Sequence, residues 1–144
     1  MRASDESYVI DLCDRALNLE AKRHHRFYFL RGDLGKHGRS AGLPVDAYYD
    51  ELKLVIEYRE RQHTEPIAHF DKPERLTCSG CHRGQQRRLY DQRRREILPQ
   101  HGIRLIEFEY RLFQHNGQKR LRRNLPEDEA VIREKLSEFL HPQV

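Results

Sequence analysis

Apolar residues near the N-terminus recur at the spacing of one helix face. The positions concerned are Val9, Ile10, Cys13, Ala16 and Leu17. Ser4 or Asp5 precedes them, and both residue types are favoured as helix caps because their oxygens accept free backbone N–H groups. The pattern predicts an amphipathic first helix from Glu6 to Lys22.

Three stretches in the first two thirds of the chain have contrasting character. Arg26 to Leu30 is short and aromatic, which favours a β-strand. Gly32 to Gly42 contains several glycines and is basic, so we expect a loop. Thr64 to Gly84 contains prolines and glycines without a clear period, which indicates an irregular insertion.

The C-terminal half alternates helical and strand patterns. Arg87 to Leu98 is predicted as a helix that Pro99 and Gly102 end. Ile103 to Tyr110 has apolar groups on both faces, which is typical of an interior strand. Pro126 to Leu140 carries one apolar stripe and is predicted as a final helix that packs back on the sheet.

Together these elements predict an α/β (α+β) fold, with a central mixed sheet of about four strands flanked by helices. A length of 144 residues fits one domain. We expect its core at about residues 6–110 and the C-terminal helix at about 126–140.

Two β-type runs, Val45 to Tyr49 and Leu52 to Tyr58, are separated only by Asp50 and Glu51, which favours a tight antiparallel hairpin. If Tyr49 faces Leu52, the register places Asp46 opposite Val55 and makes Glu57 its diagonal neighbour on the same face. Diagonal neighbours lie roughly 7 to 8 Å apart at the backbone.

Two carboxylates on one partly buried face repel each other, and a divalent cation would compensate that cost. Carboxylate oxygens are the hard ligands that Mg²⁺ prefers. Asp46 and Glu57 are therefore candidate metal ligands. In the alternative interpretation, Asp46 begins an exposed strand and Glu57 pairs with Arg59 or another arginine.

The net charge is +4, with 27 Lys plus Arg against 23 acidic residues, and its clustering matters more than its sum. Basic runs attract polyanions such as nucleic acid, although a solvated helix face explains them equally well. The candidate nucleic-acid-binding residues are Arg87, Arg88, Arg93, Arg94, Lys119 and Arg120.

No apolar run approaches the roughly 20 residues that span a bilayer, and no signal-peptide core is present. We therefore expect a cytoplasmic protein without a membrane partner. Cys78 and Cys81, followed by His82, have the spacing of a haem-attachment motif, which requires export, or of half a structural Zn²⁺ site. Two free thiols are the preferred interpretation.

The segment LPVDAYYDELKLVIEYRERQH, residues 43–63, resembles the core of the PD-(D/E)xK nuclease superfamily, in particular the branch of very-short-patch-repair endonucleases and related bacterial proteins. In that branch a strand-borne Asp precedes a hairpin, a hydrophobic strand ends in an acid, and a His follows. Asp46, Glu57 and His63 stand at these positions. Downstream, YDQRRREILPQHGIRLIEF, residues 90–108, resembles the family's basic helix of the form Asp-x-x-Arg and the strand after it.

This resemblance implies a restriction-endonuclease-like domain that cleaves DNA with Mg²⁺ or Mn²⁺ held by Asp46 and Glu57. Arg59 replaces the family's lysine; it would stabilise charge on the phosphate, but an arginine cannot act as a general base. His63 would transfer a proton.

The resemblance also implies a further acid from the first helix, either Glu6 or Asp14. The alternative function is a catalytically inactive nucleic-acid-binding module of the same fold, because of the arginine at position 59. The sequence is also compatible with a homodimer.

Overall fold

The computed structural model of the chain describes residues 2–35, 38–60 and 83–140. Most of the predicted insertion lies outside these ranges, as do His63, Cys78, Cys81 and His82. The helices and strands are α1 (Asp5–Leu17), β1 (Lys22–Arg31), β2 (Gly42–Tyr49), β3 (Leu54–Arg59), α2 (Arg83–Gln100), β4 (Arg104–Glu109) and α3 (Leu125–Lys135).

The strands form one mixed sheet in the order β1-β2-β3-β4, which confirms the predicted α+β class. β1, β2 and β3 pair antiparallel, whereas β4 pairs parallel to β3. The parallel pair requires a long crossover, and the segment that contains α2 provides it.

Helix α1 begins where the sequence places a cap, since the Ser4 side chain accepts a hydrogen bond from the Ser7 N–H at 3.1 Å. It ends at Leu17, earlier than predicted, because Asn18 adopts a left-handed conformation with φ of 55°. Its apolar face packs with Ile56, Phe108 and residues of α3 in one buried cluster. α1 is thereby fixed against the sheet with its N-terminal turn near β2.

The predicted hairpin register is wrong by two residues. Tyr49 pairs with Leu54, not with Leu52, because the turn contains four residues and not two. Its last residue, Lys53, has a positive φ of 50°. An even shift leaves every side chain on its predicted face, so Asp46 and Glu57 still share a face and are now directly opposite each other.

Other element boundaries, and the position of β4 in the sheet, also differ from prediction. α2 runs through Pro99 to Gln100, and the chain then turns at Gly102, whose φ is 72°. Within the described ranges β4 is an edge strand and not an interior one; its apolar residues are explained by burial on both faces, where Phe108 and Leu105 pack into different clusters. The final helix ends at Lys135, and a 3₁₀ turn follows at Ser137–Phe139.

Among the described helices, none has both the length and the apolar character needed to cross a bilayer.

Candidate active site

Asp46 and Glu57 interlock at the place where β2 and β3 stop pairing through their backbones. The paired stretch ends at Ala47 and Ile56. One residue further, the Asp46 N–H donates to Glu57 Oε2 at 2.6 Å, and the Tyr58 N–H donates to Asp46 Oδ2 at 2.7 Å. The two side chains therefore replace backbone partners, which fixes both carboxylates at one end of the hairpin.

These carboxylates line a cleft of about 370 Å³. Its walls come from α1, β2, β3 and α2, which contribute Glu6, Pro44, Asp46, Glu57, Tyr58, Arg59, Glu60, Arg87, Asp91 and Arg94. A larger hollow of about 500 Å³ opens where the end of α2 meets β4. Within the part of the chain that the structure describes, Glu107, which Arg95 binds, is the one acid that lines this hollow, whereas five acids line the cleft, so the cleft is the stronger candidate for a metal site.

Two arginines neutralise the inner wall of the cleft. Arg59 Nη1 lies 3.4 Å from Glu57 Oε1 and 3.0 Å from Asp91 Oδ1, and its Nε donates to Glu107 at 2.9 Å. Arg94 Nε lies 3.4 Å from Glu57 Oε1, and its Nη1 lies 3.0 Å from Asp91 Oδ1. Each of these arginine side chains is only 12% exposed. They form a buried charge network that holds Glu57 in place.

The titration of the cleft reflects burial and crowding of acids. Burial, then the Asp46 charge, raises the pKa of Glu57 to about 8, although Arg59 and Arg94 act in the opposite direction. Burial, then the Asp46 charge, also raises the pKa of Glu6 to about 7. In the absence of a cation, burial and the neighbouring acid therefore favour the protonated form of each carboxyl group.

Of the two candidate acids on the first helix, the structure places Glu6 in the cleft and Asp14 away from it. Asp14 accepts hydrogen bonds from the Tyr49 hydroxyl at 2.5 Å, from the Ala21 N–H at 3.1 Å and from Arg23 at 3.0 Å. These partners give Asp14 a structural role between α1, β1 and β2.

The structure divides the predicted basic residues into two groups. Arg94 belongs to the buried network, and Arg93 donates to Asp33 at 2.8 Å and to the Arg31 carbonyl at 3.0 Å. Arg87 lines the cleft, and Arg88 is partly exposed. In the second basic run Arg120 is exposed, whereas Lys119 lies over the Tyr110 ring at 5.9 Å.

Comparisons of the chain with protein-family models, with curated proteins and with solved structures produce no match.

Sequence reasoning did not assign to the cleft three residues that the structure brings to this region. Asp91 lines the cleft and pairs with both buried arginines; its signal was present, because Asp91 and Arg94 form the Asp-x-x-Arg of the basic helix. Glu107 binds Arg59 from β4. His24 reaches Glu6 from β1 at 3.5 Å, and no local sequence pattern marks it.

Proposed function

We propose that this protein is a metal-dependent endonuclease that hydrolyses phosphodiester bonds of DNA at the cleft between α1, the β2–β3 hairpin and α2. The observation that carries the proposal is the interlocked pair Asp46 and Glu57 in a cleft that also holds arginines. The order of elements supports it, since a strand-borne Asp, a hairpin, a strand ending in an acid, a basic helix and a further strand follow one another as in the PD-(D/E)xK resemblance.

The donor set of the cleft suits a hard divalent cation. Asp46, Glu57 and Glu6 contribute carboxylates to one cleft, and carboxylate oxygens are what Mg²⁺ and Mn²⁺ favour. We propose that Asp46 and Glu57 hold the ion with help from Glu6. When bound, such an ion activates a water molecule and neutralises charge on the phosphate.

In this proposal the buried arginines position the acids. Arg59 and Arg94 bridge Glu57 and Asp91, so Glu57 keeps one orientation in which Oε2 accepts the Asp46 N–H. Arg59 also lines the cleft, from which its guanidinium would stabilise the negative charge that develops on a substrate phosphate. Proton transfer by His63 remains a prediction, because His63 lies outside the described residues.

DNA would be held through its phosphates, which give affinity without reading sequence. Arg87, at the cleft itself, and the partly exposed Arg88 extend basic character along α2. Arg120 offers a second contact from the segment before α3.

One observation favours the alternative of a catalytically inactive nucleic-acid-binding module. Arg59 stands where the family pattern has lysine, and its guanidinium contacts three carboxylates, those of Glu57, Asp91 and Glu107. Such a module would bind DNA through the same basic residues but would not depend on Asp46.

A cleavage assay separates the two functions. Plasmid and single-stranded DNA are incubated in Mg²⁺ or Mn²⁺ with the wild type, Asp46→Asn and Glu57→Gln, and with Glu51→Gln as a matched control in the exposed hairpin turn. We expect cleavage by the wild type and by the control. The cleavage rate of each cleft variant should fall by at least about a hundredfold. Changes to groups that support a metal ligand cost up to about this much, and a change to the ligand itself should cost no less.

Two results would contradict the endonuclease proposal. If the wild type binds DNA but cleaves neither substrate in either metal, the inactive module is supported. If Asp46→Asn cleaves as fast as the wild type, the cleft is not the site of hydrolysis.

A further inference from the structure

His24 approaches Asp46 from the side opposite Glu57. In the β1–β2 register Arg23 pairs with Ala47 and His25 with Val45, so His24 lies across from Asp46. Its Nε2 is 3.5 Å from Glu6 Oε2. One ligand atom from each of Glu6, His24 and Asp46 lies within 4.8 Å of the others. Strand pairing and the docking of α1 thus bring three potential ligands together from three elements.

The charge balance of the cleft is uneven around this group. Arg59 and Arg94 direct their guanidinium groups at Glu57 and Asp91. The nearby Arg23 is engaged elsewhere, since it donates to Asp11 at 2.6 Å and to Asp14 at 3.0 Å. Glu6 and Asp46 each bring one carboxylate oxygen to the group, within 4.8 Å of each other. Two acids therefore meet on the side of the cleft where His24 lies, and a cation there would relieve the repulsion between their ionised forms.

We propose that His24 is a nitrogen ligand of the cation that Asp46 holds with Glu57 and Glu6, and that it makes the site prefer Mn²⁺ to Mg²⁺. The inference rests on the proposed function in that it concerns the same metal site. Mg²⁺ requires a nearly ideal shell of hard oxygens. Imidazole nitrogen is a ligand of first-row transition metals, the series to which Mn²⁺ belongs and Mg²⁺ does not, so a mixed nitrogen and oxygen set discriminates against Mg²⁺.

A spectroscopic experiment tests the ligand directly. The full-length protein is titrated with MnCl₂ while the loss of the free Mn²⁺ paramagnetic resonance signal measures binding. The bound ion is then examined by electron spin-echo modulation in the unlabelled protein and in protein containing ¹⁵N-histidine. We expect nitrogen modulation that changes with the isotope.

A variant tests the preference for Mn²⁺. His24 has a positive φ of 53°, which asparagine tolerates better than most residues, so His24→Asn removes the imidazole and retains a suitable backbone. We expect its Mn²⁺ affinity to fall by at least about tenfold, the lower limit for changes around a metal ligand, while Mg²⁺ affinity, measured by calorimetry, changes much less. The matched control is His101→Asn, because His101 stacks on Phe29 and is not among the cleft residues.

The outcomes distinguish the inference from the function on which it rests. Mn²⁺ binding without histidine modulation, and unchanged in His24→Asn, would overturn the role of His24 and leave the metal site of Asp46 standing. A wild-type protein that binds neither Mn²⁺ nor Mg²⁺ would overturn both. Since the modulation is measured on the wild type, the test does not depend on how the variant folds.

Discussion

Asp46 contacts residues of both β3 and α1, which no single sequence motif indicates. Its N–H donates to Glu57, its carboxylate accepts the Tyr58 N–H, and one of its carboxylate oxygens lies within 4.8 Å of one of Glu6. Hydrogen bonds in which a carboxylate accepts from backbone N–H are charge-assisted and well oriented. One residue therefore fixes the end of the hairpin and presents an acid to the cleft.

Glu57 makes stability depend on pH in the absence of a metal. The pKa of Glu57 rises from 4.5 to about 8 through burial first and the Asp46 charge second. A folded-state pKa above the unfolded value means that the folded protein binds the extra proton. The stabilisation is complete below pH 4.5 and is lost as pH rises to about 8. We predict that the free energy of unfolding in EDTA falls over this window, and that Glu57→Gln removes the larger part of the fall.

Urea denaturation at pH 5 and pH 8 measures this effect. Glu6 also makes the free energy of unfolding fall as pH rises, but by less, because its pKa is raised only to about 7. Glu51→Gln, at an exposed position, serves as the control. Its free energy of unfolding should fall between pH 5 and pH 8 by as much as that of the wild type. If the free energy of unfolding falls equally in Glu57→Gln and in the wild type, the charge on Glu57 is tolerated in the folded protein.

At the scale of elements, the hairpin shows what sequence patterns predict and what they miss. Alternation along β2 and β3 predicts which residues share a face, and the structure agrees. The turn residues contain no glycine, and the strained position is taken by Lys53 with φ of 50°. Nothing local distinguishes this four-residue turn from a two-residue one, so the sequence predicts a register that is two residues away from the one in the structure.

Helix α2 is attached to the sheet by arginines that a charge count assigns to the surface. Arg94 donates to the Pro44 carbonyl at 3.0 Å and pairs with Asp91 and Glu57. Removing one partner from a buried ion pair leaves the other charge, here that of Asp91, without that partner, which typically costs about 3 to 5 kcal/mol. We predict that Arg94→Ala lowers the free energy of unfolding by about 3 kcal/mol at pH 7.

A second variant on the same helix controls for the loss of helical side chains. Gln92 is exposed and bonds only to Glu96 among the contacts described for it, so Gln92→Ala should change stability by less than about 0.5 kcal/mol. Chemical denaturation of both variants measures the difference. A small effect for Arg94→Ala would mean that Arg59 alone satisfies Glu57 and Asp91.

At the scale of the whole molecule, periodicity predicts the elements because it records which residues are buried. The helices α1, α2 and α3 and the four strands all correspond to predicted segments. The contacts of the cleft are different in kind. His24 meets Glu6, and Arg59 meets Glu107, only because separate elements pack together, and side-chain direction at such long range leaves no periodic signal in the sequence.

Metal binding should act on the stability of the entire chain. A ligand at a hundred times its dissociation constant stabilises the folded state by about 2.7 kcal/mol, which corresponds to roughly 5 to 10 °C in Tm for a chain of this length. We predict a rise of that size when Mn²⁺ replaces EDTA at matched ionic strength, and no rise in Asp46→Asn. The rise should be larger at pH 8 than at pH 6, because at lower pH the cation must displace protons from Glu6 and Glu57. Scanning calorimetry measures these shifts, and an equal rise in Asp46→Asn would place the bound cation outside the cleft.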